Sequence, residues 1–341
     1  MTDQATRLRV YASIDEIDRE EWSAVVDAAD APAFYHYPFL RAYERVPLQE
    51  TEAFFYLAFG RPATAVLPAC IQDTDDAIGM ISGLGLPGRS PGDRILLTHV
   101  AHCYDTVLPA RPHLLTPHLA ERACAALADL ARQAGVKWFA FLNVDGSGPL
   151  AGTLTAAGLT KIPMTTRFRR DLAGYATAEA FVADLPSKKA RRALRSSRHQ
   201  AFRGGMQITA ADPAGGAADA VELCRRTTAR HGTADYYPER FHEFVKLAGD
   251  LVTVTEVRLR DRLASAAISL VDRTRFHLWA GGIDYEITTE IHSAFPLMLW
   301  PAVAETISLG RPVLEAGRGN AAAKLRFRLD PVPLFAFVGH P

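Results

Sequence analysis

Phe276-His277-Leu278-Trp279-Ala280-Gly281-Gly282-Ile283-Asp284-Tyr285-Glu286 is the stretch on which the reading of this chain turns. It begins as an alternating strand, with His277 and Trp279 on one side, and ends at a glycine pair followed by acidic residues. It closes a β-rich series, residues 251–259, 264–271 and 274–280, with turns at Asp261-Arg262 and Asp272-Arg273. That series reads as a meander. A helical pattern over Phe295–Leu309 follows, stops at Gly310, and gives way to a short strand, Pro312–Ala316, broken by Gly317-Arg318-Gly319. Strands in a run, then a helix and another strand, predict a mixed α+β sheet rather than a doubly wound one.

The same order of events occurs earlier in the chain. A helical pattern over His113–Gln133 ends at Gly135, and the strand-like run Val136–Val144 closes on Asp145-Gly146. Before it lie β-rich segments at 54–59, 64–71 and 77–81. Residue identity between the halves is low, but the shared order predicts an internal duplication with two domains, 1–172 and 173–341. Each is expected to hold a mixed central sheet flanked by helices. A chain of 341 residues also exceeds what one hydrophobic core usually organises.

Composition narrows the function classes. Hydrophobic residues make up 48% and charged residues 22%, so a packed core is expected and disorder is not. Lysine plus arginine balances aspartate plus glutamate at 38 each, so an anionic partner must be met by a local patch. Cys70, Cys103, Cys124 and Cys224 are widely spaced with no CxxC pair, which points to free thiols in a reducing compartment. The acidic N-terminal stretch and the absence of a long apolar run predict a cytoplasmic chain with no membrane association.

Three motif matches fail on chemistry. Gly83-Leu84-Gly85-Leu86-Pro87-Gly88 fits GxGxxG, but Arg89-Ser90-Pro91-Gly92 cannot open the helix a dinucleotide site needs. Gly88-Arg89-Ser90-Pro91-Gly92 fits GxSxG, but proline lacks the N–H an oxyanion hole would take from that position. His99, His102 and Asp105 have ligand-like spacing, yet on a strand the two histidines point to opposite faces. No metal is expected.

What remains is the C-terminal run above together with Leu314-Glu315-Ala316-Gly317-Arg318-Gly319-Asn320-Ala321-Ala322-Ala323-Lys324. It resembles the GCN5-related N-acetyltransferase (GNAT) superfamily, in particular its tandem branch with the Fem-type aminoacyltransferases. Ser187–Gly205 resembles the start of that branch's second domain, and Phe34–Glu44 the entry of its first. The resemblance implies an amide-forming acyltransferase. Acetyl-CoA members bind pyrophosphate on an Arg/Gln-rich glycine loop, whereas here residues 282–290 carry Asp284, Glu286 and Glu290, which would repel a diphosphate. Those acids point to a donor other than CoA, and the resemblance to the Fem-type enzymes implies aminoacyl-tRNA, acting as co-substrate with no bound cofactor, with the amine of a small molecule in natural-product or cell-wall biosynthesis as the expected acceptor.

Ser187–Arg203 predicts a basic helix with seven cations and no acid. Lys188, Arg191, Arg195 and Arg198 share a face, and with Lys189 and Arg192 they are the candidate RNA contacts. A solvated helix face is the alternative. Candidate catalytic residues are His277, Asp284, Tyr285, His292 and Glu315. Glu290 and His292 also fit as caps of the following helix. Candidate substrate contacts are Tyr236, Tyr237, Trp279, Arg318 and Lys324. Two rival readings stand beside this one: an acyl-CoA-dependent N-acyltransferase, and a non-catalytic binding module of the same fold. No DNA partner is expected, and oligomeric state is not legible.

Overall fold

The computed structural model describes residues 7–76, 79–98, 102–203, 205–231, 236–288 and 294–341. It forms two compact units, Met1–Thr166 with Val332–Pro341, and Arg167–Pro331. The final ten residues thus return to the first unit, which no linear cut describes.

The first repeat runs β1 (Leu8–Tyr11), α1 (Arg19–Ala28), α2 (Tyr37–Arg45), β2 (Ala53–Gly60), β3 (Ala63–Asp73), β4 (Arg94–Leu97), α3 (Pro117–Gln133), β5 (Trp138–Asp145), α4 (Pro149–Ala156) and β6 (Thr160–Asp171). Two helices, α5 (Ala178–Asp184) and α6 (Lys188–Arg203), introduce the second. It runs β7 (Met206–Ala211), α7 (Ala218–Arg230), α8 (Phe241–Ala248), β8 (Val252–Leu259), β9 (Arg262–Val271), β10 (Arg275–Ile283), a one-turn α9 (Tyr285–Thr288), α10 (Ala294–Ser308), β11 (Val313–Arg318), α11 (Ala321–Arg326) and β12 (Asp330–Gly339). The duplicated order expected from the glycine stops is present: Gly135 and Gly310 both follow a helix with positive φ.

Each unit has a mixed sheet. In the first the order is β1-β2-β3-β4-β5-β12, antiparallel except for the parallel pair β4/β5. In the second it is β6-β11-β10-β9-β8-β7, again with one parallel pair, β10/β11. The last strand of each repeat is exchanged: β12 pairs with β5, and β6 from Arg167 onward pairs with β11. Helix α3 packs Leu119, Ala123 and Leu127 into the first core with Leu57, Leu67, Phe139 and Phe337. Helix α10 packs Leu299 and Val303 into the second with Phe276, Leu314, Ala190 and Leu194.

Of the strand expected over 77–81, residues 79–81 are not extended, and 77–78 lie outside the described residues. Positions 79–81 form a turn in which the Asp76 carboxylate accepts from the backbone N–H of Met80, Ile81 and Ser82 at 2.6–3.0 Å. A short acidic side chain that captures local amides withdraws them from a ladder, and Arg94–Leu97 takes the strand position instead. The glycine motif at 83–88 is a loop, with Gly85 and Gly88 at positive φ and no following helix. All four cysteines are buried thiols, and burial pushes Cys70, Cys124 and Cys224 up to about 12. His102 and Asp105 are buried, His99 lies outside the described residues, and no metal-binding cluster occurs among those described. No described helix is long and apolar enough to cross a membrane.

Candidate active site

Strands β10 and β11 hold together over three register pairs, Arg275 with Val313, Phe276 with Leu314 and His277 with Glu315. Beyond His277/Glu315 the pairing ends, although β10 continues to Ile283 and β11 to Arg318. The sheet therefore opens at a buried titratable pair. Both groups are compensated from behind. His277 donates Nε2–H to Asp272 Oδ2 at 2.8 Å, and Asp272 Oδ1 also accepts from the N–H groups of Thr274 and Arg275 in the hairpin turn. Burial alone would raise the Asp272 carboxyl, but the hydrogen bond and electrostatic attraction of His277, with that of Arg275, outweigh it and hold it at about 2. Glu315 faces Arg167 Nη1 at 3.4 Å, with both side chains at most 3% exposed. An unpaired charge at that depth would be expensive.

The register of β10 against β9 shifts between Leu278 and Ala280, and this bulge re-aims the strand. Trp279 joins an edge-to-face and stacked cluster with Tyr237, Phe241 and Phe244. Past the bulge, a Cβ on Gly281 would touch Met298 Sδ of α10 at 3.1 Å, while one on Gly282 would lie 2.7 Å from the backbone of Leu223 and Cys224 in α7. Only glycine lets the strand run this close to α7. Thr227 of α7 completes the junction, its Oγ1 accepting from Ile283 N at 2.8 Å.

Around this opening the sequence-predicted residues separate into groups. Tyr237 is 4% exposed and stacks on Phe241 at 4.4 Å, so it packs beneath its loop. Tyr236 accepts from Arg318 Nη2 at 3.1 Å. Lys324, on α11, is buried and donates Nζ–H to the carbonyls of Gly317 and Arg318 at 3.1 and 2.8 Å. Burial and, secondarily, the Arg318 charge push its ammonium down to about 7. Asp284 caps α9, accepting from Glu286 N and Ile287 N. Tyr285 shares a 2.7 Å hydrogen bond with His231 Nε2, and the Arg230 guanidinium sits 4.4 Å from its ring centroid. Glu290 and His292 lie outside the described residues. Arg167, Asp272, His231 and Arg230 carry no motif, and only the fold brings them to these partners.

Residues 188–325 match the family of the acetyltransferase (GNAT) domain. Among solved structures, FemX shares the fold at a TM-score of 0.62 with 12% identity, over 94% of this chain and 96% of that one. A tandem GNAT protein from the clavulanic acid biosynthesis pathway aligns at 0.55 with 13% identity, over 98% of each chain. The C-terminal domain of a provisionally assigned lysylphosphatidylglycerol synthetase from Agrobacterium fabrum aligns at 0.60 with 14% identity, over 96% and 93%. No curated protein matches the chain. The fold is shared with FemX and with the tandem GNAT protein over nearly the whole chain, and residues 188–325 match the GNAT acetyltransferase-domain family.

Helix α6 opens the segment that matches this family. Ala190 and Leu194 are buried on one side of it, while Lys188, Lys189, Arg192 and Arg195 are exposed on the other. Arg191 differs from this row: it is half-buried and donates Nη1–H to the Leu185 carbonyl. The Arg198 side chain is outside the described residues.

Proposed function

We propose that this GNAT-type enzyme takes an aminoacyl group from aminoacyl-tRNA and joins it by an amide bond to the amine of a small molecule, in natural-product or cell-wall biosynthesis. The observation that carries the donor assignment is the exposed row Lys188, Lys189, Arg192 and Arg195 on α6, in a chain whose charges cancel overall. Such a row supplies phosphate contacts without a global field. The Fem-like resemblance points to the same donor.

In the reaction, the neutral amine attacks the ester carbonyl, its proton leaves to an acceptor, and the tRNA hydroxyl departs. The exposed His231 with its hydrogen-bonded Tyr285 suits the proton path, being reachable from solvent and held by the Asp284-capped turn. His277 is wholly buried against Asp272, which suits a positioning residue for the opening of β10 from β11. Lys324 and Arg318 set the loop after β11 through the Gly317 and Arg318 carbonyls and Tyr236.

Filter binding to bulk aminoacylated tRNA across a salt series, with acetyl-CoA as competitor, tests the donor. Steep salt dependence, indifferent to acetyl-CoA, is expected. Lys188→Ala/Arg192→Ala/Arg195→Ala should lower the log–log slope by about 2 to 3. An unchanged slope and unchanged tRNA-dependent turnover would remove α6 as the tRNA contact, and no tRNA retention at low salt would remove the tRNA reading. The acyl-CoA reading is favoured by a separate observation, the match of residues 188–325 to an acetyltransferase family. Displacement by acetyl-CoA would establish it. Loss of neither activity in Tyr285→Phe and His231→Ala under single-turnover conditions would overturn the proton-path assignment.

A further inference from the structure

A second cationic element lies beside α6. From Ala316 to Leu329 the chain carries Arg318, Lys324, Arg326 and Arg328 and no acid. Three of these are engaged within the fold. Arg318 bonds Tyr236, Lys324 is buried on the Gly317 and Arg318 carbonyls, and Arg328 pairs with Asp184 at 3.0 Å. Arg326 differs. It is exposed at the end of α11 and donates Nη2–H to the Lys189 carbonyl, in the first turn of α6, at 3.4 Å. Among the described residues it pairs with no carboxylate. Packing fixes the same neighbourhood independently, because Phe327 and Ala323 share a core with Ala190 and Leu194 of α6. The exposed cations of α6 therefore continue into Arg326. Asp184, the acid nearest to α6 in sequence, is held by Tyr175 and Arg328, so this charge is not cancelled locally.

The other end of α11 gives this surface a direction. The helix starts just after the Gly317-Arg318-Gly319 turn, at the end of β11 that has parted from β10, and Lys324 ties it back to that turn. Its six residues span about 9 Å at the ordinary helical rise. Helix α11 thus bridges the opening of the sheet and the Lys189 end of α6. From there the exposed row runs away, reaching Arg195 about 10 Å further on. The outer side of α11 is apolar: Ala321, Ala322 and Leu325 are exposed, Leu325 at 54%.

We propose that α11, with Arg326, takes the unpaired 3′ end of the donor RNA, and that the paired stem lies along α6 with its terminal pair at Lys188 and Lys189 and its further pairs toward Arg195. This rests on the tRNA reading above and gives it a polarity. A tRNA carries its ester on an unpaired 3′ end beyond a duplex, so the duplex needs a cationic row and the unpaired end needs a short path from that row to the reacting centre. Arg326 meets a phosphate where the two join. Past it, the ribose and base faces lie on Ala321, Ala322 and Leu325, where no acid repels the backbone.

The test uses the full chain and three unacylated RNAs: a blunt duplex, the same duplex with an unpaired 3′ extension, and the same duplex with an unpaired 5′ extension. In filter binding the 3′-extended RNA is expected to bind about tenfold tighter than the other two, the worth of one charge-assisted contact. Across a salt series Arg326→Ala should lower the log–log slope for the 3′-extended RNA by about 0.7, leaving the blunt duplex unchanged, whereas Arg192→Ala/Arg195→Ala should lower it for all three by about 2. An unchanged melting temperature in Arg326→Ala shows that the variant is folded. Polarity is read separately. All four native cysteines are buried, so Ala322→Cys and His199→Cys, both at exposed positions, each take a tethered iron chelate selectively. Hydroxyl-radical cuts are expected in the 3′ extension from position 322 and inside the duplex from position 199. Equal affinity for the three RNAs, an Arg326→Ala effect as large on the blunt duplex, or cuts in the reverse order would overturn the proposal, while salt-dependent duplex binding leaves the tRNA reading standing. Retention of none of the RNAs removes both. Binding to phosphatidylglycerol vesicles, lost in Leu325→Glu, with no preference among the RNAs would make this surface a membrane contact and overturn the proposal.

Discussion

In the first unit the parallel seam between β4 and β5 joins Ile95 to Trp138, Leu96 to Phe139 and Leu97 to Ala140, so every register pair is apolar and serves the core. In the second the matching seam between β10 and β11 ends on His277 and Glu315, equally buried but titratable. The two repeats share element order and differ in what they place at one position. A seam of leucine and alanine is stabilised by burial alone. A seam of histidine and glutamate must be stabilised by partners, and the second unit supplies Asp272 for one and Arg167 for the other. Such groups persist where chemistry needs them, which is why the opening beside this seam, and not the first unit's, is the candidate active site.

The exchanged strands give the sharpest way to break the comparison. Ending the chain after Pro331 removes Leu334, Ala336, Phe337 and Val338, all buried in the first unit, although they follow the second in sequence. Amide exchange is expected to lose protection throughout β4 and β5 while β8–β10 retain it. Loss in β8–β10 first would contradict the division described.

Next in size is the Glu315 pair. Glu315→Ala removes the carboxylate that faces the buried Arg167 and should cost about 3–5 kcal/mol in urea unfolding, whereas Arg167→Met/Glu315→Leu, which makes the second seam resemble the first, should recover most of it. A double variant no better than the single would mean the pair contributes more than mutual compensation.

Asp272→Asn should cost about 2–3 kcal/mol at pH 7. Because the native carboxyl sits at about 2, below its ordinary value of 3.8, the stabilisation is complete above about pH 4 and is lost as pH falls toward 2. Wild type and variant should therefore converge in acid-unfolding profiles. Curves that stay parallel to pH 2 would deny the linkage.

The smallest effect belongs to Lys324. Its ammonium is held at about 7 against an ordinary 10.5, so between these values the unfolded chain binds the extra proton and stability rises with pH. From pH 7 to 9 the wild type should gain about 2 kcal/mol, and Lys324→Met should show no such rise.

Much of the fold was readable. The glycine stops, the meander turns at Asp261-Arg262 and Asp272-Arg273, and the repeated helix-then-strand order all mark local events, and local events depend on residues near in sequence. The strand expected over 77–81 shows the limit at its described end, 79–81: Asp76 competes for the amides of Met80 and Ile81, and nothing in composition says which will win. The site was legible in part. His277, Trp279, Glu315, Arg318 and Lys324 do lie around the opening of the sheet, whereas Tyr237 and Asp284 are occupied in packing and capping. Arg191, counted with the cationic row by its spacing, is turned to a carbonyl instead. Helical periodicity sets direction but not which neighbours a rim residue meets.

By itself the sequence determined the alternation of strands and helices, the stops between them, and a basic helix with an apolar underside, because each follows from backbone propensity and short-range periodicity. The tertiary structure alone decided that Arg167 meets Glu315 across 148 positions, that β12 returns to the first unit, and that Arg326 meets the first turn of α6. Those pairings depend on strand register and on which helix covers which face, and both are settled only when the whole core packs at once.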